Sequence, residues 1–166
     1  MKLFVVRHGI AVARGEPTCP ADPDRFLTEE GIEKTAQVAK AVAALGEKAD
    51  VLISSPYVRA VQTAELFAAA LHRSKDKIRR SEALLPGTDP LLLFRELARE
   101  KGTTAIFVFG HAPQLDEVIA YAVGSKRPVT ELKKAGVAQV DLKRVSPPIG
   151  VLVWVCPPKV LRRSGK

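Results

Sequence analysis

Short aliphatic runs alternate along the chain with segments in which apolar residues recur every three or four positions. The runs predict β-strands at residues 2–6, 50–54, 77–81, 104–109, 135–142 and 150–155. The longer segments between them predict helices. Because strands that alternate with helices are typical of βαβ units, the pattern predicts an α/β fold around a mainly parallel sheet.

Residues that favour helix N-termini mark where these helices begin. Thr28 precedes two glutamates, whose charges suit the positive end of a helix dipole. Ser55 and Asp89 are each followed by a proline at the first helical position. The first helix is expected to end near Gly46, the third at Lys101-Gly102, and the fourth to run from Pro113 to about Val123. On the first helix, one face carries Ile32, Ala36, Ala39 and Ala43.

The composition fits one globular domain in a chain of 166 residues, of which 46% are hydrophobic and 27% charged. We place that domain at residues 1–156 and expect residues 157–166 to form a basic, mobile tail. Residues 12–27 read as a surface loop. Cys19 and Cys156 lie far apart and predict free thiols. The N-terminal apolar run is too short for a secretion signal or a membrane span, so we expect a cytoplasmic protein, with a monomer favoured.

The net charge of +8 suggests an anionic partner. Part of this excess lies in the C-terminal tail, and the remaining basic residues are scattered. Only 5% of the residues are aromatic, which leaves no basic stripe interleaved with base-stacking rings. We therefore expect neither a nucleic acid nor a membrane as the partner.

Polar residues of similar chemistry follow three of the predicted strands. Arg7 and His8 end the first strand, Arg59 follows the second, and His111 follows the fourth. The carboxyl ends of parallel strands line the ligand crevice of an open sheet, so these four side chains are expected to converge. Arg59 and His111 also stand at predicted helix N-termini, where the Ala112 backbone N–H and the helix dipole favour an anion.

This constellation favours a phosphate over a metal ion. Guanidinium groups repel a cation, and no further His, Cys or carboxylate stands at a spacing typical of zinc ligands. Arginine forks pair with phosphate oxygens in bidentate fashion. Neutral imidazole is nucleophilic at pH 7, so His8 could attack phosphorus, while Arg7, Arg59 and a protonated His111 offset the charge of the oxygens.

Each residue taken alone has an ordinary structural explanation. An Arg-His pair at a strand end can be a surface feature, Arg59 can pair with Glu65, and His111 can cap a strand. Their shared position at three strand ends is what favours the functional interpretation.

The motifs resemble the histidine phosphatase (phosphoglycerate mutase-like) superfamily, in its compact bacterial phosphohistidine phosphatase (SixA-type) branch. The resemblance lies in RHG at residues 7–9, SSPYVRAVQTAE at 54–65 and VFGHAP at 108–113, and extends to LTEEG at 27–31 and LLPGTDP at 84–90. It implies a three-layer α/β/α sandwich with a mostly parallel central sheet and an antiparallel edge strand. It also implies that His8 is the phosphorylated nucleophile, that Arg7, Arg59 and His111 complete the phosphate pocket, and that neither a metal nor an organic cofactor takes part.

Many members of this family also use a carboxylic acid between the second and third motifs to protonate an ester leaving group. The candidates in this chain are Glu82 and Asp89. Asp89 already has an explanation as a helix N-cap, so we favour Glu82. Residues 60–110 are consumed by predicted helices and a strand, which leaves no long insertion for a lid and predicts an open, shallow pocket.

Three functions fit these residues. The leading hypothesis is hydrolysis of phosphohistidine in a partner protein of the histidine-containing phosphotransfer type, because a nitrogen leaving group depends little on an enzymic acid. The second is hydrolysis of a small phosphate ester, and the third is a non-catalytic module that binds a phosphorylated ligand. At the first strand end, Gly9 is expected to let the chain turn away from His8.

Overall fold

A six-stranded sheet with helices on both faces forms the body of the protein in a computed structural model that describes residues 1–164. The strands are β1 (Lys2–Arg7), β2 (Val51–Ser54), β3 (Ile78–Arg80), β4 (Ala105–Gly110), β5 (Val137–Val145) and β6 (Pro148–Cys156). The helices are α1 (Glu29–Ala44), α2 (Val58–Ala70), α3 (Pro90–Leu97), α4 (Gln114–Ala122) and α5 (Pro158–Ser164). Short 3-10 turns lie at Asp22–Asp24, Lys75–Lys77 and Glu82–Leu84.

The strands lie in the order β3-β2-β4-β1-β5-β6. The first four of these are parallel to one another, whereas β5 runs antiparallel to β1 and β6 runs antiparallel to β5. The predicted parallel sheet with an antiparallel edge is confirmed, and that edge is the β5–β6 hairpin. The carboxyl ends of the four parallel strands therefore lie at the same edge of the sheet.

Two apolar cores fill the space between the sheet and its helices. On one face, the stacked rings of Phe4 and Phe107 pack toward α1, α2 and α5, with 4.2 Å between ring centroids. On the other face, Leu3, Val5 and Val108 pack against α3 and α4. Alternate residues of a strand point to opposite faces, which is why β1 supplies both cores. The predicted three-layer sandwich is therefore confirmed.

Two of the predicted helix caps are confirmed. The Thr28 hydroxyl accepts a hydrogen bond from the Gly31 amide at 3.0 Å, and the Asp89 carboxylate accepts one from the Leu91 amide at 2.8 Å. Ser55 was expected to cap α2, but this helix begins at Val58 with Tyr57 as its N-cap. That prediction is wrong because the hydroxyl of Ser55 faces a histidine of the site described below.

The inward face of α1 overlaps only in part with the predicted one. Ala39 is buried as predicted, but Ile32 is 42% exposed, and Thr35, Val38 and Val42 are buried instead. The reason lies at Gly31, because a Cβ added there would stand 2.0 Å from the carbonyl oxygen of Ile10. The glycine lets the helix backbone press against the segment after β1, and this contact turns the helix so that Ile32 points outward.

Residues 158–164 form α5 rather than the expected mobile tail. The helix packs against α1, and Leu161 is only 6% exposed in the cluster that includes Trp154. A short segment with a single buried leucine offers too little periodicity for prediction. Residues 165 and 166 of the predicted tail lie outside the described residues, and the domain boundary at residue 156 stays a prediction.

None of the helices within residues 1–164 combines the length and the hydrophobicity that a membrane crossing requires.

Replacing Gly31 with alanine tests the close contact between α1 and the segment after β1. The new methyl group would overlap the Ile10 carbonyl, and overpacking of this kind outweighs the better helix propensity of alanine. We expect the Gly31→Ala variant to lose about 2 kcal/mol of unfolding free energy in urea denaturation. Lys40→Ala, at an exposed position of the same helix, should change it by less than about 0.5 kcal/mol. An unchanged Gly31→Ala variant would contradict the packing argument.

Candidate active site

The pairing of β1 with β4 brings two histidines together. Arg7 lies opposite Gly110 in the parallel register, and the His8 amide donates to the Gly110 carbonyl at 3.0 Å. His8 and His111 therefore leave the sheet side by side, with 5.2 Å between ring centroids. Both rings are nearly buried, with exposed fractions of 7% and 3%.

Arg59 reaches the same place from the first turn of α2. Its Nε donates to Nε2 of His8 at 3.3 Å. Thr63, one helical turn further on, holds the two elements together: its hydroxyl donates to the Arg59 carbonyl at 2.7 Å and accepts from the Gly9 amide at 3.1 Å. The predicted convergence of three strand ends is thus present in the structure.

The hydrogen bonds of His8 define its tautomer. Nδ1 lies 2.7 Å from the Gly9 carbonyl oxygen, which can only accept, so Nδ1 carries the proton. Nε2 then holds a lone pair, and it is this atom that receives the Arg59 Nε–H. Burial, followed by the electrostatic effects of His111, Arg59 and Arg7, lowers the pKa of His8 to about 3 despite the bond to Gly9. His8 is consequently a neutral imidazole at pH 7, with its nucleophilic lone pair on Nε2.

His111 is neutral as well. Burial first, and then the charges of Arg59 and Arg7, lower its pKa to about 3. In the protein alone, burial and the two guanidinium groups of the pocket thus keep His111 neutral, and its protonation beside a phosphate stays a prediction. Its Nε2 lies 2.9 Å from the Ser55 hydroxyl, and its buried Nδ1 has no hydrogen-bond partner among residues 1–164. If the Ser55 hydroxyl donates to Nε2, Nδ1 carries a proton that can bind an anion.

Arg7 is half-buried beside His8. One of its Nη atoms donates to the Leu132 carbonyl at 2.6 Å, and its buried Nε has no hydrogen-bond partner in the described part of the chain. The Leu132 amide in turn donates to the buried carboxylate of Asp116 at 2.9 Å. Asp116 thus fixes the segment that holds Arg7 in place.

Asp22 is a functional candidate that the sequence did not reveal. It lies in the loop after β1, where its carbonyl oxygen and its carboxylate both accept hydrogen bonds from Arg59. The loop therefore covers Arg59, which is only 3% exposed, and the open, shallow pocket stays a prediction. The sequence offers only a weak signal for this role of Asp22, namely an acidic residue in the loop that follows the strand carrying His8.

Glu82 does not join this group. Its side chain is exposed at the start of a 3-10 turn, in a groove that it shares with Arg95 and Arg99. The hydrogen bonds and ion pairs found within residues 1–164 include none between Glu82 and Arg7, His8, Arg59 or His111. Its role as a proton donor stays a prediction, as does the contribution of the Ala112 amide.

Gly9 is required for a different reason from the expected turn. A Cβ at this position would stand 2.3 Å from the Thr35 hydroxyl of α1, and the φ angle of Gly9 is not positive. Close packing against α1, rather than backbone freedom, explains the glycine of the RHG motif.

Taken together, the pocket offers one nucleophilic nitrogen and a set of cationic or neutral donors around it. Such a set matches a tetrahedral oxyanion held against Nε2 of His8. Within residues 1–164, no group of three or more His, Cys, Asp or Glu side chains is arranged to hold a metal ion.

The low pKa of His8 predicts a measurable pH dependence of stability. Between about pH 6.5 and pH 3 the unfolded chain binds a proton at residue 8 and the native protein does not, so stability falls as the pH falls. Around pH 5, His8→Gln should reduce the slope of unfolding free energy against pH by about 1.4 kcal/mol per unit. Urea denaturation at pH 4.5, 5.0 and 5.5 measures both slopes. Lys40→Ala should keep the original slope, and equal slopes for His8→Gln and the original protein would contradict a neutral native His8.

Comparisons with known proteins agree with this geometry. The family model described as "Histidine phosphatase superfamily (branch 1)" matches residues 3–84, which include Arg7, His8 and Arg59. An uncharacterized protein of Picosynechococcus sp. (strain ATCC 27264 / PCC 7002 / PR-6) is 33% identical over 138 residues, which cover 82% of each chain.

Solved structures share the fold over nearly the whole chain. The protein histidine phosphatase SixA complexed with tungstate superposes with a TM-score of 0.86 at 24% identity, covering 97% of this chain and 99% of that one. A phosphoserine phosphatase of Entamoeba histolytica in complex with phosphoserine gives a TM-score of 0.71 at 16% identity, covering 95% and 98%. The chain belongs to the histidine phosphatase superfamily, and it is an enzyme of the phosphatase class.

Proposed function

We propose that the protein hydrolyses phosphohistidine on a partner protein, as a SixA-type phosphatase, through a phosphorylated His8. The observation that carries the proposal is the nucleophile itself. His8 is neutral, its Nδ1–H is bound by the Gly9 carbonyl, and its Nε2 lone pair points toward a guanidinium that can hold the phosphoryl oxygens.

In the first step, Nε2 of His8 attacks phosphorus in line with the bond to the leaving group. A new N–P bond forms while the old one breaks, and the leaving nitrogen takes the electron pair of the broken bond and a proton from water. Arg7, Arg59 and the Nδ1–H of His111 bind the three equatorial oxygens. The negative charge of the phosphoryl group raises the pKa of His111 and strengthens its hydrogen bond.

In the second step, water attacks the phosphorus of phosphorylated His8. The N–P bond breaks, inorganic phosphate departs with the oxygen of water, and the lone pair returns to Nε2. The same donors bind the oxygens in both transition states, so the site needs no rearrangement between the steps.

The charge state of the Asp22 carboxylate near the pocket favours a substrate with a nitrogen leaving group. Burial alone would raise the pKa of Asp22. Hydrogen bonds from Arg25 and Arg14 and the charge of Arg59 nevertheless hold this pKa well below its ordinary value. Asp22 therefore stays ionised and has no proton to give. An alkoxide needs such a proton, whereas the imidazole of phosphohistidine can take one from water.

A small phosphate ester is the second candidate, and the burial of the site residues favours it. The loop at residues 12–27 covers Arg59, and His8 is 7% exposed, so a small substrate reaches these side chains more readily than a bulky one. The relative that binds phosphoserine shows that this fold accommodates an ester. On this alternative, Glu82 would have to approach the leaving oxygen.

The proposed function is tested by turnover on a panel of substrates. We expect kcat/KM for a phosphorylated histidine-containing phosphotransfer protein to exceed that for phosphoserine, a sugar phosphate and an aryl phosphate by about 100-fold or more. His8→Ala should lose at least about 1,000-fold with every substrate, because the nucleophile is gone. His72→Asn, at an exposed position outside the pocket, is the matched control and should keep full turnover.

A panel in which a small ester has the highest kcat/KM would replace the proposed substrate with the second candidate. Full activity of the His8→Ala variant would contradict the covalent mechanism. Complete loss of the original enzyme's activity in the presence of a metal chelator would contradict it as well.

Glu82→Gln tests the predicted proton donor. If Glu82 protonates the leaving group, this variant should lose about 100-fold with an alkyl phosphate ester and less than about threefold with a phosphoramidate. Steady-state kinetics with both substrates measures the difference. Glu117→Gln on the exposed side of α4 is the control. Equal activity of Glu82→Gln and the original enzyme toward both substrates would remove Glu82 from the mechanism.

A further inference from the structure

The guanidinium of Arg59 is held along one edge by a single residue. Nη1 donates to the Asp22 carbonyl oxygen at 2.6 Å, and Nη2 donates to Oδ2 of the same residue at 3.3 Å. Nε, on the neighbouring edge, points at Nε2 of His8. The planar group is therefore fixed by contacts on both sides, with its Nε edge facing the nucleophile.

Apart from Asp22 and His8, little sets the orientation of Arg59. Its side chain extends from α2 through several rotatable bonds, and the ring of Tyr57, 5.0 Å from Cζ, contacts only the face of the guanidinium. A contact with the face permits rotation in the plane. Among residues 1–164, the hydrogen bonds found for the two Nη atoms go to Asp22, and together with the contact between Nε and His8 they oppose such rotation.

Asp22 is itself anchored on its other side. Its Oδ1 accepts hydrogen bonds from Arg25 Nη1 at 2.9 Å and from Arg14 Nη2 at 2.9 Å. Arg25 also donates twice to the Val12 carbonyl, at 2.9 and 2.7 Å, which ties the carboxylate to the loop backbone. One carboxylate oxygen thus faces the loop and the other faces Arg59.

We propose that Asp22 is a positioning residue for phosphoryl transfer. By accepting hydrogen bonds from both Nη atoms, it orients the Nε edge of Arg59 toward the phosphoryl group on His8. The inference rests on the proposed function and adds a residue to its machinery. A bidentate pair with phosphate requires two N–H groups on one edge, so an in-plane rotation of Arg59 would break the pair. Small misplacements of this kind cost up to about 100-fold in rate.

The charge of Asp22 contributes to the same task. The like charges of Arg25 and Arg14 act against that of Arg59, and the Asp22 carboxylate is an anion in direct contact with Arg59. Since its pKa lies well below the ordinary range, the carboxylate keeps this charge across the working pH range. Asparagine retains the size and the backbone carbonyl of Asp22 but loses the anion.

The test is a double-mutant cycle between Asp22 and Arg59, measured with an aryl phosphate. We expect Asp22→Asn to lower kcat by about 10- to 100-fold with a smaller change in KM. Lysine has no planar fork to aim, so Asp22→Asn should cost less than about threefold in an Arg59→Lys background. Equal losses in both backgrounds would mean that Asp22 supports the loop alone, and would overturn the proposal.

Two further variants separate positioning from charge and from loop stability. Asp22→Glu keeps the anion but moves it by one methylene, so it should also lose at least about threefold, because carbonyl and carboxylate can no longer both reach Arg59. Full activity of Asp22→Glu would contradict positioning. Arg14→Met removes an exposed partner of Oδ1 and leaves the contact with Arg59, so its kcat should stay within about twofold. A loss as large as that of Asp22→Asn would overturn the proposal.

The cycle also separates failure of this inference from failure of the proposed function. An original enzyme without turnover on the whole panel, or a fully active His8→Ala variant, would reject the proposed function. If turnover depends on His8 and Asp22→Asn keeps its kcat, only the role of Asp22 is rejected.

Discussion

The register between β1 and β4 is the constraint on which the site depends. With Arg7 opposite Gly110, the His8 amide continues the ladder by one bond, and the next residue of each strand is a histidine of the pocket. The Ser55 amide extends the β2–β4 ladder in the same way, by donating to the Phe109 carbonyl at 2.8 Å. A slip of one residue would send His8 to the other face of the sheet. The buried rings of Phe4 and Phe107 oppose such a slip, because they stack only in this register.

Placing two arginines among buried groups carries an electrostatic cost that the fold offsets with two aspartates. Asp22 contacts Arg59 directly, and Asp116 acts on Arg7 through the segment that ends at Leu132. Burial lowers the pKa of both arginines, and the charges of these carboxylates oppose that change. Burial outweighs the charge of Asp22 at His111, and no carboxylate opposes it at His8, so both histidines remain neutral. The positive field of the pocket therefore comes from guanidinium groups, while the imidazoles supply a lone pair and a polarised N–H.

Much of the site was predictable because its residues stand at the ends of regular elements. A strand or helix with a clear period fixes where its last residue lies, and this applies to His8, Arg59 and His111. Asp22 lies in an irregular loop of 16 residues, at 12–27, where no period relates sequence position to space. The outward turn of Ile32 depends on the contact of Gly31 with Ile10, and the role of Gly9 on its contact with Thr35; both are tertiary distances that local patterns do not contain.

The Gly9 carbonyl links this geometry to the second half of the proposed reaction. Attack by Nε2 while Nδ1 keeps its proton yields a cationic phosphoimidazole, whose N–P bond breaks to release neutral imidazole. Loss of the Nδ1 proton would instead require an imidazolate to depart, which is a far poorer leaving group. At 2.7 Å, the carbonyl stabilises the proton on Nδ1 in both forms. The residue that packs β1 against α1 thereby also keeps the phosphorylated intermediate ready for hydrolysis.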